Sequence, residues 1–186
     1  MVLNTRSYRR FDEGDRIGRD RLVELVNMAR LSPSATNRQS LKYLVYYSND
    51  DCARIFPATA WAGFLKEWPG PDEGERPSGY IIILRDTEIN DYFGVDHGIA
   101  AQTIMLGATT MGYGGCMIGS IKKEMLRAVL AIPERYDILL VLALGKPVEK
   151  VVIDDIRDGD FKYWREADAT HHVPKRGLDE VLLNLK

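Results

Sequence analysis

Three arginines and a serine near the start of the chain could bind an anion. Arg6, Ser7 and Arg9, with Arg10 beside them, fall within five positions, and guanidinium groups and a hydroxyl can donate to a phosphate. In an extended segment, Arg6 and Arg10 would share one face and Arg9 would lie on the other. A solvated basic N-terminus would explain the same residues, so this segment is a weak signal by itself.

A polar segment of small residues, positions 32–40, forms the second candidate site. Its sequence is SPSATNRQS, and it lies between a helical pattern and a strand pattern, where loops often carry binding residues. Small side chains let the backbone approach a flat ligand, while Asn37 and Gln39 offer donors and acceptors to a planar heterocycle. An ordinary polar connection between a helix and a strand explains the segment equally well.

A glycine-rich segment, residues 112–120, forms the third candidate site. Four glycines in eight positions expose backbone N–H groups. The order is not that of a dinucleotide fold after a strand, and it lacks the Lys-Ser/Thr of a phosphate loop. Because the segment follows a helix, a phosphate at a helix N-terminus is not expected here. We expect a backbone donor to a ring nitrogen, with a tight helix-to-helix connection as the alternative.

The remaining chemistry-bearing residues are scattered. Lys175 and Arg176 near the end could hold an anion or begin a charged helix. The histidines have no carboxylate or cysteine at metal-ligand spacing, and the aspartates between 154 and 160 lack the order of a calcium loop, so no metal site is expected. Cys52 and Cys116 stand far apart and are expected to be buried free thiols.

Regular elements must position these candidates. Helical patterns predict helices over 19–31, 96–111 and 122–130, and β-branched or apolar runs predict strands over 43–47, 80–84 and 138–144. The strand over 80–84 is apolar throughout and is expected to be covered on both faces. The helix over 96–111 has no polar face, so we expect it to be buried. Residues 67–79 are rich in proline and glycine and are expected to form a surface excursion.

Composition excludes several classes of function. A chain of 186 residues is expected to form a single domain, residues 1–186, and 45% hydrophobic with 28% charged residues is ordinary for a globular protein. With a net charge of −2 and no basic stripe, nucleic acid is not expected as a partner. No apolar run approaches membrane-spanning length and the N-terminus has no targeting pattern, so we expect the cytoplasm and no membrane contact.

The last part of the chain, residues 148–186, differs from the rest. It is polar for most of its length and ends in a few apolar anchors, Leu178, Val181, Leu182 and Leu185. Such an extension is expected to wrap around a neighbouring subunit.

Taken in order, these segments resemble the nitroreductase family of FMN enzymes. The opening Arg6-Ser7-Tyr8-Arg9-Arg10-Phe11 resembles the family's phosphate-binding start, and residues 33–39 resemble its P-S-x-x-N-x-Q loop. Residues 96–112 with the glycines after them resemble the long central helix and the backbone that faces flavin N5. Ile132-Pro133-Glu134, Gly145-Lys146-Pro147 and Lys175-Arg176 resemble later landmarks, so the match spans nearly the whole chain.

The resemblance implies an α+β three-layer sandwich, with a mixed, mainly antiparallel sheet flanked by helices. It also implies an intertwined homodimer with FMN at the subunit interface, the 148–186 extension embracing the partner and adding a strand to its sheet. Hydride would pass from NADH or NADPH through FMN to a small organic acceptor such as a nitroaromatic or a quinone, and no side-chain general base would be essential. A non-catalytic flavin-binding or storage protein, and a same-fold dehalogenase or flavin-fragmenting enzyme, are the alternatives.

The resemblance also implies roles for individual residues. The phosphate or ribityl ligands would be Arg6, Ser7, Arg9 and Lys175, with Arg176 as the alternative to Lys175. The ring and ribityl chain would be lined by Pro33, Ser34, Ala35, Asn37 and Gln39. The backbone of Ile118 and Gly119 would donate to N5 or O4 of the flavin. Thr5 stands where many members have an arginine, Ser40-Leu41 replaces the common Pro-Trp, and the short segment 48–79 gives no assignable lid contact.

Overall fold

The computed structural model describes residues 1–90 and 94–183. The strands are β1 Phe11–Asp12, β2 Leu41–Tyr46, β3 Gly79–Asp86, β4 Gly114–Ile118, β5 Tyr136–Pro147, β6 Val151–Asp155, β7 Trp164–Arg165 and β8 His171–Lys175. The helices are α1 Arg19–Arg30, α2 Asn49–Ile55, α3 Asp96–Thr110, α4 Lys123–Leu130 and α5 Leu178–Val181. Single 3₁₀ turns occur at Val2–Asn4, Ala35–Asn37 and Phe56–Ala58.

A main sheet of five strands forms the centre of the molecule. Strands β2, β3 and β5 are consecutive antiparallel neighbours, and β5 also pairs in the antiparallel sense with β4 and with β1. Every residue of β3 except the half-buried Arg85 is buried, because the strand is covered on both faces, as its unbroken apolar run predicts.

Two hydrophobic cores lie on opposite faces of the main sheet. Alternate residues of β3 enter different cores, Tyr80 and Ile82 on one face and Ile81 and Ile83 on the other. The second core also contains the apolar faces of α1 and α3, while α2 and α4 contribute to the first. The α+β three-layer sandwich with a mainly antiparallel sheet is therefore confirmed.

Helix α3 is buried along one face only. Ala101, Ile104 and Ala108 are fully covered, whereas Ile99 and Gln102 are exposed on the outward side of this single chain. Full burial was expected because the helix lacks a charged face, but small and apolar residues continue on the outward side as well. None of the helices in residues 1–90 and 94–183 is long and apolar enough to cross a bilayer.

The C-terminal part of the chain forms a small sheet of its own. Strands β6 and β8 are parallel, and β7 pairs with β8 in the antiparallel sense. Residues 151–175 therefore pack on their own chain, which the polar composition did not indicate. The apolar end after them is exposed at Leu178, Val181, Leu182 and Leu183, and Leu185 lies outside the described residues. The wrapping of a partner subunit by residues 148–186 stays a prediction.

Candidate functional site

The N-terminal segment runs along the edge of β4. Tyr8 donates its backbone N–H to the carbonyl of Gly115 at 2.9 Å, and Ser7 forms a parallel bridge with the same residue. Tyr8 also donates to the carbonyl of Arg6 at 3.0 Å, which makes a tight three-residue turn at Ser7. Because of this turn, successive side chains do not alternate between two opposite faces as they would in an extended chain.

This turn corrects the expected orientation of the arginines. Arg6 and Arg9 face the same cavity, whereas Arg10 turns away and makes a bidentate ion pair with Glu75, with Nε–Oε2 and Nη2–Oε1 distances of 2.6 and 2.5 Å. The prediction that Arg6 and Arg10 would share a face was wrong, because it assumed an uninterrupted extended segment.

A cavity of about 370 Å³ lies between this segment, α3 and the small sheet. We call it the anion cavity. It brings Arg6, Ser7 and Arg9 together with Lys175, which is far away in the sequence. Its other lining residues are Thr5, Gln102, Met105, Met117, Tyr163, His171 and Val173. All four residues predicted as phosphate or ribityl ligands therefore line a single cavity, and among the described residues Arg176 does not line it.

Arg9 is the most tightly held of these cations. It is 9% exposed, and its Nη1 atom donates to the Ser7 carbonyl at 3.2 Å and to Nε2 of His171 at 3.1 Å. Its guanidinium lies 4.9 Å from the centre of the Tyr163 ring. These contacts fix the guanidinium at the cavity wall, so little side-chain entropy is left to lose when an anion binds.

Arg6 is held differently. Its Nε and Nη2 atoms donate to the carbonyls of Thr5 and Val2 at 2.8 and 2.9 Å. Thr5 is buried and shares a hydrogen bond of 2.9 Å with the Thr109 hydroxyl of α3. Thr5 therefore anchors the N-terminal segment to α3 while contributing no charge.

A buried carboxylate joins the two halves of the anion cavity. The Glu149 side chain is fully covered and accepts from the backbone N–H of Arg9 and from Nη2 of Arg165 at 2.9 Å. Arg165 belongs to β7, and its guanidinium stacks 4.3 Å from the Trp68 ring centre. Glu149 thus ties the N-terminal segment to the small sheet through two short contacts.

His171 in β8 is fully buried at the wall of the anion cavity. Burial, followed by the nearby charges of Arg9, Arg165 and His172, lowers the pKa of His171 to about 4. The ring is consequently neutral at physiological pH. Its Nδ1 atom is buried and has no hydrogen-bond partner among residues 1–90 and 94–183.

The predicted ring-facing residues lie elsewhere. Residues 33–39, which we call the ring loop, contain three non-glycine residues with positive φ: Thr36, Asn37 and Gln39 at 48°, 55° and 52°. The Ser34 hydroxyl accepts from the Gln39 N–H at 3.1 Å. Left-handed backbone at a threonine is strained, so surrounding contacts must hold this loop in shape.

Asp96 at the start of α3 supplies one of those contacts. Its carboxylate is 4% exposed and accepts from the Ala35 N–H at 3.0 Å. A smaller cavity of about 140 Å³ lies beneath the ring loop and is lined by Pro33, Ser34, Gln39, Tyr43 and Asp96 among others. None of the described residues lines both cavities, so the predicted phosphate ligands and the predicted ring-loop ligands lie at separate places.

The third predicted group, Ile118 and Gly119, joins neither cavity. Residues 114–118 form β4 and are not the helix-to-helix connection kept as the alternative, because they pair with β5 over their whole length. The Ile118 side chain is buried in the first core, and Gly119 is exposed. The neighbouring Met117 lines the anion cavity, so the end of β4 passes beside it.

Several cavity residues carried no recognisable sequence signal. Gln102 is the only amide in the small-residue helix, which could have marked it, but Tyr163 and His171 stand in a polar tail without a motif. Segment 48–79 contributes Phe64, whose ring centre lies 4.9 Å from that of Tyr163 and whose N–H donates to the Tyr163 hydroxyl at 3.2 Å. The described residues contain no group of three metal-ligating side chains.

Comparison with known proteins gives a consistent result. A family model described as the nitroreductase family matches residues 2–146. YodC of Bacillus subtilis strain 168, a protein named for an NAD(P)H nitroreductase activity, is 26% identical over 179 residues, covering 80% of this chain and 89% of that protein.

Solved structures show the same fold. An FMN-dependent nitroreductase of Clostridium difficile R20291 has a TM-score of 0.65 at 20% identity, with 90% of this chain and 94% of that one covered. A protein of Exiguobacterium sibiricum 255-15, solved in complex with FMN, has a TM-score of 0.65 at 21% identity, with 79% and 86% covered.

Proposed function

Because the chain belongs to the nitroreductase family, we propose that it is an FMN-dependent oxidoreductase. It would take a hydride from NADH or NADPH and deliver it to a small organic acceptor such as a nitroaromatic or a quinone. The observation that supports this most directly is the anion cavity, where Arg6, Ser7, Arg9 and Lys175 converge from opposite ends of the chain.

The donor set of the anion cavity fits the phosphate of FMN. Two guanidinium groups, an ammonium and a hydroxyl provide charge-assisted hydrogen bonds to a doubly charged anion. The buried Nδ1 atom of His171, which has no partner among the described residues, is a further polar atom left for a ligand. A metal-held phosphate is not needed to explain this arrangement, since cations of the protein itself surround the cavity.

The separation of the two cavities supports a homodimer. The ring loop lies apart from the anion cavity, so a second copy would bring its ring loop over the first chain's cations. The outward face of α3 and the apolar C-terminal end, with Ile99 and Leu182 exposed by 37% and 57%, offer surfaces that such a copy would cover. The FMN would then be enclosed by residues of both subunits.

The residues of this chain would bind and orient the flavin. FMN supplies the hydride acceptor and donor chemistry when it is bound. Arg9, held by His171 and Ser7, would fix one end of the molecule, and the strained ring loop would present Asn37 and Gln39 to the other. Backbone N–H groups near Ile118 and Gly119 would favour the negative charge that develops on the ring upon reduction.

The first experiment is a visible spectrum of the purified protein, followed by anaerobic addition of NADH or NADPH. A flavin spectrum that bleaches within seconds is expected and would identify the preferred donor. Bound flavin that stays oxidised with both donors would favour a storage protein, and a colourless protein that cannot be reconstituted with FMN would refute the proposal.

A pair of variants tests the anion cavity itself. Replacing Arg9 with methionine should weaken FMN binding by about 10- to 100-fold, since a charge-assisted hydrogen bond contributes about 1.5–3 kcal/mol. Arg21→Met is the matched control, because Arg21 is exposed on α1 and pairs only with Glu24 among the described residues. Equal FMN affinities of the two variants would contradict the assignment of the cavity.

A further inference from the structure

His171 makes a contact that the proposed flavin site does not by itself require. The imidazole of this β8 residue is fully buried, and the backbone N–H of His171 donates to the carbonyl of Lys150 at 2.8 Å. Its ring centre lies 5.2 Å from that of Tyr163. The side chain therefore has a single well-defined position at the wall of the anion cavity.

The contact with Arg9 fixes the tautomer of this histidine. A guanidinium only donates hydrogen bonds, so Nε2 of His171, 3.1 Å from Nη1 of Arg9, must be the acceptor. The proton of the neutral ring then resides on Nδ1. Protonation of both nitrogens is opposed first by burial and then by the charges of Arg9, Arg165 and His172, and the pKa of His171 is accordingly low, about 4.

A buried N–H donor therefore has no acceptor in the part of the chain that the structure describes. Nδ1 of His171 has no hydrogen-bond partner among the described residues, although leaving such a donor unpaired is costly. Glu149, the buried carboxylate that Arg9 and Arg165 share, already accepts from the Arg9 N–H and from Arg165. An acceptor from a bound ligand would satisfy the donor.

We propose that His171 is a positioning residue with two functions in the anion cavity: its Nε2 atom holds the Arg9 guanidinium in place, and its Nδ1–H donates to an oxygen of the bound FMN. The inference rests on the proposed function. Phosphate oxygens and the carbonyl oxygens of the flavin ring share this acceptor chemistry, and the experiment below distinguishes them.

Two conservative variants separate the two functions. Glutamine places its amide near the position of Nε2 and can still accept from Arg9, whereas asparagine places its amide near Nδ1 and can still donate. His171→Gln and His171→Asn should each weaken FMN binding about tenfold, and His171→Phe, which has neither group, about 100-fold. His172→Gln is the control, because His172 pairs with Asp154 and does not line the cavity.

The measurement is the dissociation constant of FMN by quenching of flavin fluorescence, repeated with riboflavin. If the loss in His171→Gln, which removes the Nδ1–H donor but keeps an acceptor for Arg9, appears with FMN and disappears with riboflavin, the Nδ1–H binds the phosphate. If it is equal for both ligands, the oxygen belongs to the ring or ribityl chain. His171→Phe with an FMN affinity within about twofold of that of the parent protein would overturn the proposal.

The tautomer can be tested without any flavin. Nitrogen-15 correlation spectra of the apoprotein should show His171 protonated on Nδ1 and neutral from pH 5.5 to 8. A proton on Nε2, or titration near the ordinary value of about 6.5, would overturn the Arg9 contact. Failure of the parent protein to bind FMN would instead refute the proposed function, so the two failures are distinguishable.

Discussion

Replacing Glu149 with alanine is expected to destabilise the protein strongly, because this carboxylate is the buried link between the N-terminal segment and the small sheet. Its side chain is fully covered and that of Arg165 is 13% exposed, so neither partner can turn to water. Burial already lowers the pKa of the Arg165 guanidinium, although the charge of Glu149 opposes this shift. Removal of the carboxylate would leave that cation unpaired.

The magnitude follows from the burial. Breaking a buried ion pair on one side costs about 3–5 kcal/mol, and an exposed pair is worth about 0–1 kcal/mol. Glu149→Gln keeps the shape and an acceptor for the Arg9 N–H but loses the charge, so its cost should be smaller, about 1–3 kcal/mol. Glu149→Ala combined with Arg165→Met leaves no unpaired charge and should be more stable than Glu149→Ala alone.

Urea denaturation of the apoproteins under identical conditions measures these differences. Glu24→Ala is the control, since Glu24 pairs with Arg21 at 3.2 Å with both side chains about half exposed. It should cost no more than about 1 kcal/mol. A loss below about 1 kcal/mol in Glu149→Ala, or no recovery of stability in the double variant, would refute the view that Glu149 holds the two parts together.

Three further outcomes are expected. The pKa of His171 is about 4 in the folded protein and about 6.5 in the unfolded chain, so the unfolded chain takes up the proton first as pH falls. The free energy of unfolding should therefore decline by about 3 kcal/mol from pH 6.5 to about 4. His171→Gln should flatten this decline in urea midpoints measured across that range. Gly107→Ala should cost about 1–3 kcal/mol in thermal unfolding, since its Cβ would lie 2.7 Å from Sδ of Met28 and 2.8 Å from Cδ2 of the buried Leu25. Gly98→Ala, with nothing within 4 Å of the added Cβ, should not destabilise. Asp96→Ala should loosen the ring loop, giving faster limited proteolysis and about tenfold weaker FMN binding, while the exposed Asp20→Ala, also in a first helical turn, should change neither.

The sequence determined the elements whose patterns are local. The apolar periodicity of α1 and the unbroken run of β3 predicted both elements and their burial, since side-chain direction repeats every 3.6 residues in a helix and every two in a strand. The family resemblance carried by the ordered motifs is confirmed by the family match, and the three-layer sandwich with it. The same motifs selected Arg6, Ser7, Arg9 and Lys175, which line the anion cavity together.

Only the tertiary structure decided how the remaining residues are used. Arg10 points away from the anion cavity because of the turn at Ser7 and its ion pair with Glu75. No sequence pattern predicts either feature. The small sheet depends on the parallel pairing of β6 with β8 over a long sequence separation, which composition cannot reveal. The low pKa of His171 and the linking role of Glu149 both depend on burial among charges that the fold brings together. Burial of that kind is decided by three-dimensional packing and not by neighbours in the chain.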